Sequence, residues 1–289
     1  MDNKPTIVLV HGSWHSPSVW TFITPLLEKA GYSVYPILLK SPGMAPPPPD
    51  FHCDVDSVKT GIEAVLDTGK DIVLVMHSFG GVVGIEALKG FHEEMINGGN
   101  LAPTVPGKMD EEPARFISRR GKILHLAFMG TILLPPGRAM WRVERATPPG
   151  FRLDVCIYIF SDSDWVKCTT KQAQIQGETI RVLDGQKRFY NDIPTAAQDH
   201  WQRKLKTQPR PPLCSKLSYP AYRHYPSSYL LCSLDSAVSP TVQWLTARNA
   251  GIPEDRIAAV DAGHNPMISQ PGAVVRFIRR AAGEVVSVL

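Results

Sequence analysis

Residues 71–84, DIVLVMHSFGGVVG, decide the fold of this chain. The first half is a short apolar run rich in β-branched residues, which is typical of a strand buried on both faces. The second half carries small and apolar residues at helical spacing, and the two halves meet at Ser78. A serine on such a strand-to-helix turn commonly lies in the pattern Gly-x-Ser-x-Gly. This chain keeps Gly80 but has Met76 at the first glycine, so it predicts the turn with one departure.

Glycines beside such a turn let the helix pack close to the strand while the serine holds a strained backbone. Gly80, Gly81 and Gly84 are all present, so most of the small-residue surface is kept. Methionine is unbranched and adaptable, and it fits an irregular gap beneath a helix. We therefore predict an intact turn, with the side chain of Met76 lying under the helix.

Short apolar runs and helical segments alternate along the rest of the chain. The strand candidates are residues 6–12, 32–39, 71–77, 122–130, 227–235 and 256–264. Gly31 is placed to end the first helix, and Asp54 or Asp56 to cap the start of the second. Strands separated by helices predict an α/β fold, in which a mainly parallel sheet is covered by helices on both faces.

The alternation breaks down between Gly130 and about Pro212, where proline, aromatic and basic residues are frequent. We interpret residues 131–211 as a cap or lid inserted between the fourth and fifth predicted strands. In open α/β sheets ligands bind at the carboxyl ends of the strands, and we expect the cap to lie there. The predicted core comprises residues 1–130 and 212–289.

Composition excludes several classes of function. The 289 residues carry a formal net charge of +4, too small and too dispersed for a nucleic-acid surface. No apolar run is long enough to span a bilayer. A strand is predicted to begin at Thr6, so we expect no secretory signal. The five cysteines are odd in number and have no metal-ligand spacing, so we expect free thiols, no metal site and a cytoplasmic location.

Three residues at predicted strand ends have the types and the order of a catalytic triad. A serine hydroxyl needs an adjacent base, and the base needs a third group to orient it. Ser78, Asp235 and His264 follow the third, fifth and sixth predicted strands, in the order nucleophile, acid, histidine. The competing acids are less well placed: two lie in the insertion and one only three residues before the histidine, namely Asp162, Asp164 and Asp261.

Negative charge developing on a reacting carbonyl oxygen requires backbone N–H donors. The N–H of Phe79, at the start of the helix, is one candidate donor. The second should come from the loop after the first strand, where Ser13 is the preferred donor and Trp14 the alternative. Residues near these positions are candidates for the walls of a substrate pocket: Trp14, His15, Phe128 and Met129. The aromatic residues of FYNDIP (residues 189–194) either line the roof of this pocket or pack the insertion onto the core.

Four segments resemble the α/β-hydrolase superfamily: LVHGSWHSPSVWTFITPLLEKAGYSV, VMHSFGG, YLLCSLDSAVSP and DAGHNPM. They are most similar to the branch of plant methyl esterases and hydroxynitrile lyases with their fungal and bacterial relatives. The resemblance covers roughly residues 4–130 and 215–289. It implies a triad of Ser78, Asp235 and His264, oxyanion donors Ser13 and Phe79, and no cofactor.

Two positions separate this chain from the lyases of that branch. The lyases resemble one another in a threonine where this chain has Gly12, and in a lysine where it has Asn265. A neutral amide cannot accommodate the charge of a departing cyanide as a lysine does. The resemblance therefore favours an esterase over a hydroxynitrile lyase.

The sequence as a whole predicts a serine hydrolase that forms an acyl-enzyme. Its expected substrate is an ester, lactone or thioester of a small to medium apolar molecule, of the kind made in secondary metabolism. A lyase, cyclase or transferase that uses the same triad is the first alternative, and a small-molecule receptor the second. We expect no nucleic-acid or membrane partner, and a homodimer is left open.

Overall fold

A computed structural model describes residues 4–91, 120–141, 152–160 and 165–286, with only the backbone described at 152–160 and 165–173. Its strands are β1 (Thr6–Val10), β2 (Val34–Ile37), β3 (Ile72–His77), β4 (Ile123–Met129), β5 (Arg152–Phe160), β6 (Trp165–Gln176), β7 (Thr179–Val182), β8 (Gln208–Pro209), β9 (Ser227–Cys232) and β10 (Ile257–Val260). Its α-helices are α1 (Thr24–Lys29), α2 (His52–Leu66), α3 (Phe79–Ala87), α4 (Gly185–Phe189), α5 (Thr195–Lys204), α6 (Arg210–Cys214), α7 (Pro240–Asn249), α8 (Pro266–Ser269) and α9 (Pro271–Ala281).

The main sheet has six strands in the order β10-β9-β4-β3-β1-β2, and every neighbouring pair is parallel. Each of the six predicted strands is present, and the predicted fold class is confirmed. β1 and β3 are neighbours in the interior of the sheet, and all of their residues are buried. A strand in this position needs apolar side chains on both faces, which explains the continuous apolar runs.

The two faces of the sheet bury separate apolar clusters because successive side chains of a strand point to opposite sides. Leu74 and Met76 of β3 pack on the side of α2 and α3. Val73 and Val75 of the same strand pack on the side of α1 and α9. The sheet is thus the middle layer of three.

The predicted end of α1 is correct, but the predicted start of α2 is not. Gly31 follows α1 with φ 87°, the left-handed conformation expected of a glycine at a helix end. The predicted cap of α2 by Asp54 or Asp56 is wrong, because the helix begins at His52, with Phe51 before it. Asp54 lies buried in the first turn, where its Oδ1 accepts the N–H of Ser41 at 2.8 Å.

The described part of residues 131–211, hereafter the insertion, contains a second sheet that the sequence analysis missed. This sheet is antiparallel, in the order β5-β6-β7-β8. A two-residue turn of Gly177 and Glu178 joins β6 to β7, and Gly177 has the positive φ, 58°, that such tight turns need. Ile132, just inside the predicted insertion, and Leu213, just after it, are both buried in the main core. The division of the chain at 131 and 211 stays a prediction.

Within the described ranges, no helix is long and apolar enough to cross a membrane. Cys53, Cys214 and Cys232 are free thiols. The other two cysteines lie on β5 and β6, in the stretches described by backbone alone.

Candidate active site

Ser78, Asp235 and His264 meet at the carboxyl edge of the main sheet. Ser78 follows β3 directly, and the other two lie in the loops after β9 and β10. Nε2 of His264 lies 3.0 Å from Oγ of Ser78, and its Nδ1 lies 2.8 Å from Oδ2 of Asp235. A carboxylate only accepts hydrogen bonds, so Nδ1 carries the hydrogen and Nε2 is left to accept the serine hydroxyl. The three side chains form one continuous chain of hydrogen bonds.

The carboxylate of Asp235 is held by residues that follow it closely in sequence. Its Oδ1 accepts the N–H groups of Ala237 at 2.7 Å and Val238 at 2.9 Å. Its Oδ2 also accepts Nε2 of Gln243 at 2.9 Å, a contact that the sequence analysis missed. Gln243 is fully buried on α7, and its Oε1 accepts the N–H of Cys232 at the end of β9. Three donors therefore fix the carboxylate and leave it little freedom to turn away from His264.

The competing acids do not reach the histidine. Asp261 accepts the hydroxyl of Ser233 at 2.7 Å, on the neighbouring strand end. Asp162 and Asp164 lie outside the described residues. Of the acids that the structure describes among these candidates, Asp235 alone contacts His264.

The backbone of Ser78 is strained, as expected of a serine at a sharp strand-to-helix turn. Its φ of 53° and ψ of −129° lie in a region that costs a residue with a side chain about 1–3 kcal/mol. The surroundings hold it there: its N–H donates to the carbonyl of Met129, and its carbonyl accepts the hydroxyl of Thr131 at 2.6 Å. Met76 has therefore not abolished the turn, and the predicted geometry is confirmed.

Met76 is accommodated by a glycine one turn into the helix. Its side chain is fully buried beneath α3. A Cβ added at Gly84 would lie 2.5 Å from Sδ of Met76 and 3.0 Å from its Cγ. The methionine thus occupies the space that a larger residue at 84 would need. In this chain the small residue is needed at Gly84 of the helix and not at position 76 of the strand.

Residues 12–15, hereafter the 12–15 loop, follow β1 and pass close to Ser78. A Cβ added at Gly12 would lie 2.8 Å from Cβ of Ser78 and 3.2 Å from its Oγ. The loop therefore has no room for a threonine at position 12 without a shift of one of the two segments. Ser13 is the next residue after this close approach to Ser78.

The backbone donors around Ser78 are not equivalent. The N–H of Trp14 donates to Oε1 of Gln208 at 3.3 Å and is therefore occupied. The N–H groups of Ser13 and Phe79 make no hydrogen bond within the described part of the chain. Of the three predicted oxyanion donors, the two preferred ones are thus the two that remain available.

Three further histidines surround the site, and burial keeps each of them neutral. Desolvation lowers the pKa of His11 to about 4 and that of His15 to about 3, and it lowers the pKa of His77 well below its usual range. Nδ1 of His11 donates to the carbonyl of Gly12 at 2.9 Å. Nε2 of His77 donates to the carbonyl of His264 at 2.7 Å, the structural role predicted for it.

Aromatic side chains cover one side of His264. The ring of Phe189 lies 5.5 Å from that of His264 and 5.8 Å from that of Trp14, between centroids. Of the four residues predicted to line a pocket, Trp14 is half-buried and His15 is buried with both ring nitrogens hydrogen-bonded. Phe128 and Met129 have no exposed surface in this conformation, since both are packed into the sheet core. Of these four side chains, that of Trp14 therefore has surface that a ligand can contact.

Among the described residues, no three His, Cys, Asp or Glu side chains are grouped so as to hold a metal ion. The hydroxyl of Ser78 and the imidazole of His264 lie within the hydrogen-bond distance that proton transfer requires.

A parallel sheet that carries a strained serine, an acid and a histidine at the carboxyl ends of three of its strands has the fold of the α/β hydrolases. The model described as "Alpha/beta hydrolase family" matches residues 7–277, and the chain belongs to this family.

Individual proteins place the chain more closely. It is 28% identical over 289 residues to an alpha/beta hydrolase, nvfD, of Aspergillus novofumigatus, with 99% of each chain covered. It is 36% identical over 85 residues to the alpha-hydroxynitrile lyase of Arabidopsis thaliana, covering 28% of this chain and 33% of the lyase. The crystal structure of the Arabidopsis methylesterase MES16 superposes with a TM-score of 0.65 at 17% identity, covering 96% of this chain and 99% of that one. The predicted relationship to this branch is confirmed.

Proposed function

We propose that the protein is a serine hydrolase that cleaves an ester, lactone or thioester through an acyl-enzyme. The observation that carries this proposal is the hydrogen-bonded chain from Asp235 through His264 to the strained Ser78. Membership of the α/β-hydrolase family supports it. We assign these three residues as the catalytic triad.

In this mechanism Oγ of Ser78 attacks the carbonyl carbon while its proton passes to Nε2 of His264. Asp235 keeps Nδ1 protonated and stabilises the imidazolium that forms. The tetrahedral intermediate then collapses, and the leaving alcohol or thiol takes the proton from Nε2. A water molecule next gives a proton to the same nitrogen and attacks the acyl group. When this second tetrahedral intermediate collapses, Oγ of Ser78 leaves and takes the proton back from Nε2, which restores the free enzyme. The three donors to Asp235 support this mechanism by keeping its carboxylate aligned with the imidazole.

The negative charge of the intermediate would be held by the N–H groups of Ser13 and Phe79. Each such donor is worth about 10²–10³ in rate. The helix dipole of α3 adds to the effect at Phe79, the first residue of that helix. The assignment of Ser13 rather than Trp14 is supported by the hydrogen bond that already occupies the Trp14 N–H.

The neutral histidines help the reaction by staying uncharged. The ring of His77 lies 4.8 Å from that of His264, between centroids, and is tilted by 54° to it; His15 belongs to the same cluster. A second imidazolium in this cluster would oppose the positive charge that develops on His264. Burial prevents it, because the pKa of His15 is lowered to about 3.

The substrate we propose is small to medium in size, largely apolar, and of the kind made in secondary metabolism. The aromatic rings of Trp14 and Phe189 beside His264 support an apolar group on one side of the scissile bond. Trp14 is the residue of the predicted pocket best placed to contact it, since part of its surface is exposed.

A lyase that uses the same triad is the second candidate, favoured by the similarity to the Arabidopsis hydroxynitrile lyase. Two observations weigh against it. A threonine at position 12 would collide with Ser78, and Asn265 is buried with its Nδ2 bonded to the carbonyl of Phe189. A lyase would neither consume water nor need an acyl-enzyme, so detection of that intermediate separates the two functions.

The experiment that tests the proposal is intact-protein mass spectrometry after treatment with a fluorophosphonate probe. We expect the wild type to gain one label, and Ser78→Ala and His264→Ala to gain none in the same time. The variant His200→Gln, at an exposed histidine, controls for loss of a histidine elsewhere. A folded wild type that takes no label would contradict an activated Ser78 and would favour a receptor.

A further inference from the structure

The peptide group between Ser13 and Trp14 is held at both of its poles. The carbonyl of Ser13 accepts Nδ1 of His15 at 2.6 Å, and the N–H of Trp14 donates to Oε1 of Gln208 at 3.3 Å. His15 and Gln208 are both buried. Rotation of this peptide group would break both hydrogen bonds inside the protein, where no solvent replaces them.

Both supports lead to the insertion. Gln208 lies on β8 and also donates from Nε2 to Oγ of Ser41 at 3.0 Å. The carbonyl of Ser13 can only accept, so Nδ1 of His15 carries the hydrogen and its Nε2 must accept. The donor to Nε2 is the hydroxyl of Tyr190, at 2.9 Å. Tyr190 therefore fixes the tautomer of His15 that holds the Ser13 carbonyl.

Trp14 shows why such support is needed. Its φ of 61° is a left-handed conformation that a residue with a side chain adopts only where its surroundings compel it. Besides the bond to Gln208, its carbonyl accepts the N–H of Lys206 at 2.8 Å, and its Nε1 donates to the carbonyl of Ile180 at 3.3 Å. All three polar groups of Trp14 are thus bonded to the insertion.

We propose that Tyr190 and Gln208 are positioning residues that aim the Ser13 N–H at the oxyanion. This inference rests on the proposed function. Neither residue contacts the reacting atoms, and each acts through the peptide group next to the donor. Without Gln208 the Trp14 N–H is buried with no acceptor, so the peptide group turns to find one and moves the Ser13 N–H with it. Without the Tyr190 hydroxyl, His15 is free to change tautomer and to present an unprotonated Nδ1 to the Ser13 carbonyl.

The test compares Gln208→Met and Tyr190→Phe with wild type. The control is Gln198→Met, which removes a glutamine of the insertion that bonds the carbonyl of Ile193 instead. Turnover of 4-nitrophenyl butyrate gives kcat and KM, and phenylboronic acid serves as a tetrahedral mimic. We expect kcat to fall about tenfold or more in both test variants, because a misplaced donor loses its effect in the transition state. KM should change less than twofold, and the boronate should bind more weakly by a factor close to that of kcat. The control should match wild type.

Circular dichroism melting establishes which variants fold, and Tyr190→Phe carries the test if Gln208→Met does not. Folded variants with unchanged kcat and boronate affinity overturn the positioning role while leaving the hydrolase function intact. A rise in KM with kcat unchanged also overturns it, because it would show substrate binding by these side chains. A wild type that neither hydrolyses the ester nor takes the fluorophosphonate label refutes the proposed function, and the positioning role with it.

Discussion

The turn at Ser78 and the 12–15 loop are neighbours in space, but different kinds of contact hold them. Close packing in the core holds the turn: Gly84 lies against Met76, and Gly80 lies against the backbone carbonyls at the end of β1. Hydrogen bonds hold the loop, and those from the insertion come from residues 166 to 194 positions away. The turn therefore needs close packing in addition to its hydrogen bonds to Met129 and Thr131, whereas the loop relies on polar contacts, including those of neutral histidines. The two should respond to different perturbations.

Acid should give the largest effect, through His15 of the loop and His11, the residue just before it. His11 and His15 have pKa values of about 4 and about 3 in the folded protein, against about 6.5 when unfolded. The unfolded chain binds more protons below pH 6.5, so the free energy of unfolding falls as the pH falls from 6.5 towards 4. At pH 4 each histidine should cost about 3 kcal/mol, since one pKa unit is worth about 1.4 kcal/mol.

Urea denaturation between pH 7.5 and 4 measures this loss. The variant His200→Gln, at an exposed histidine, should follow the wild-type curve. A free energy of unfolding that stays flat from pH 6.5 to 4.5 would show that these imidazoles are not buried in the neutral form.

A smaller effect is expected at the Ser78 turn. Gly84→Ala places a Cβ 2.5 Å from Sδ of Met76, and overpacking of this kind costs about 1–3 kcal/mol. The double variant Met76→Ala with Gly84→Ala should lose less stability than the sum of the two single variants, by about 1 kcal/mol or more. Chemical denaturation measures all four corners of this cycle.

Gly272→Ala is the matched control for the glycine substitution, because its new Cβ would meet Arg276 at an ordinary 3.6 Å. It should leave stability unchanged or slightly raised. If Gly84→Ala is as stable as this control, or if Met76→Ala brings no relief, the packing account of the turn is wrong.

The smallest expected effect is the energetic coupling between the 12–15 loop and the Ser78 turn. The contacts of Gln208 and those of Gly84 involve different residues. Gln208→Met and Gly84→Ala should therefore change the free energy of unfolding additively, within about 0.5 kcal/mol. A coupling above about 1 kcal/mol would mean that the loop and the turn are held as one unit.

The parts of the molecule that the sequence predicted are those governed by local pattern. The central strands are continuous apolar runs because both faces are buried, and the small residues after Ser78 disclose the turn. Ser78, Asp235 and His264 could be placed at one edge because parallel strands bring their carboxyl ends together.

What the sequence did not disclose depends on distant or unpatterned contacts. A glutamine such as Gln208 has no pattern of its own, and its partner Trp14 is 194 residues away. The second sheet did have a signal, since Leu153, Val155 and Ile157 alternate with polar or small residues along β5. This alternation did not lead to a predicted strand, because the cap was defined only by the loss of the strand–helix alternation.

The hydrogen bonds between the insertion and Trp14 limit how segments can be exchanged between related proteins. Exchanging residues 180–208 for those of a relative, in order to import a differently shaped roof, would replace the side chain that bonds the Trp14 N–H and could displace the two backbone groups that bond its carbonyl and Nε1. We expect a working chimera to need the 12–15 loop of the same relative, or to keep the phenol at 190 that bonds His15 and the amide at 208 that bonds Trp14. The insertion and the 12–15 loop should therefore be exchanged together, although they lie far apart in the sequence.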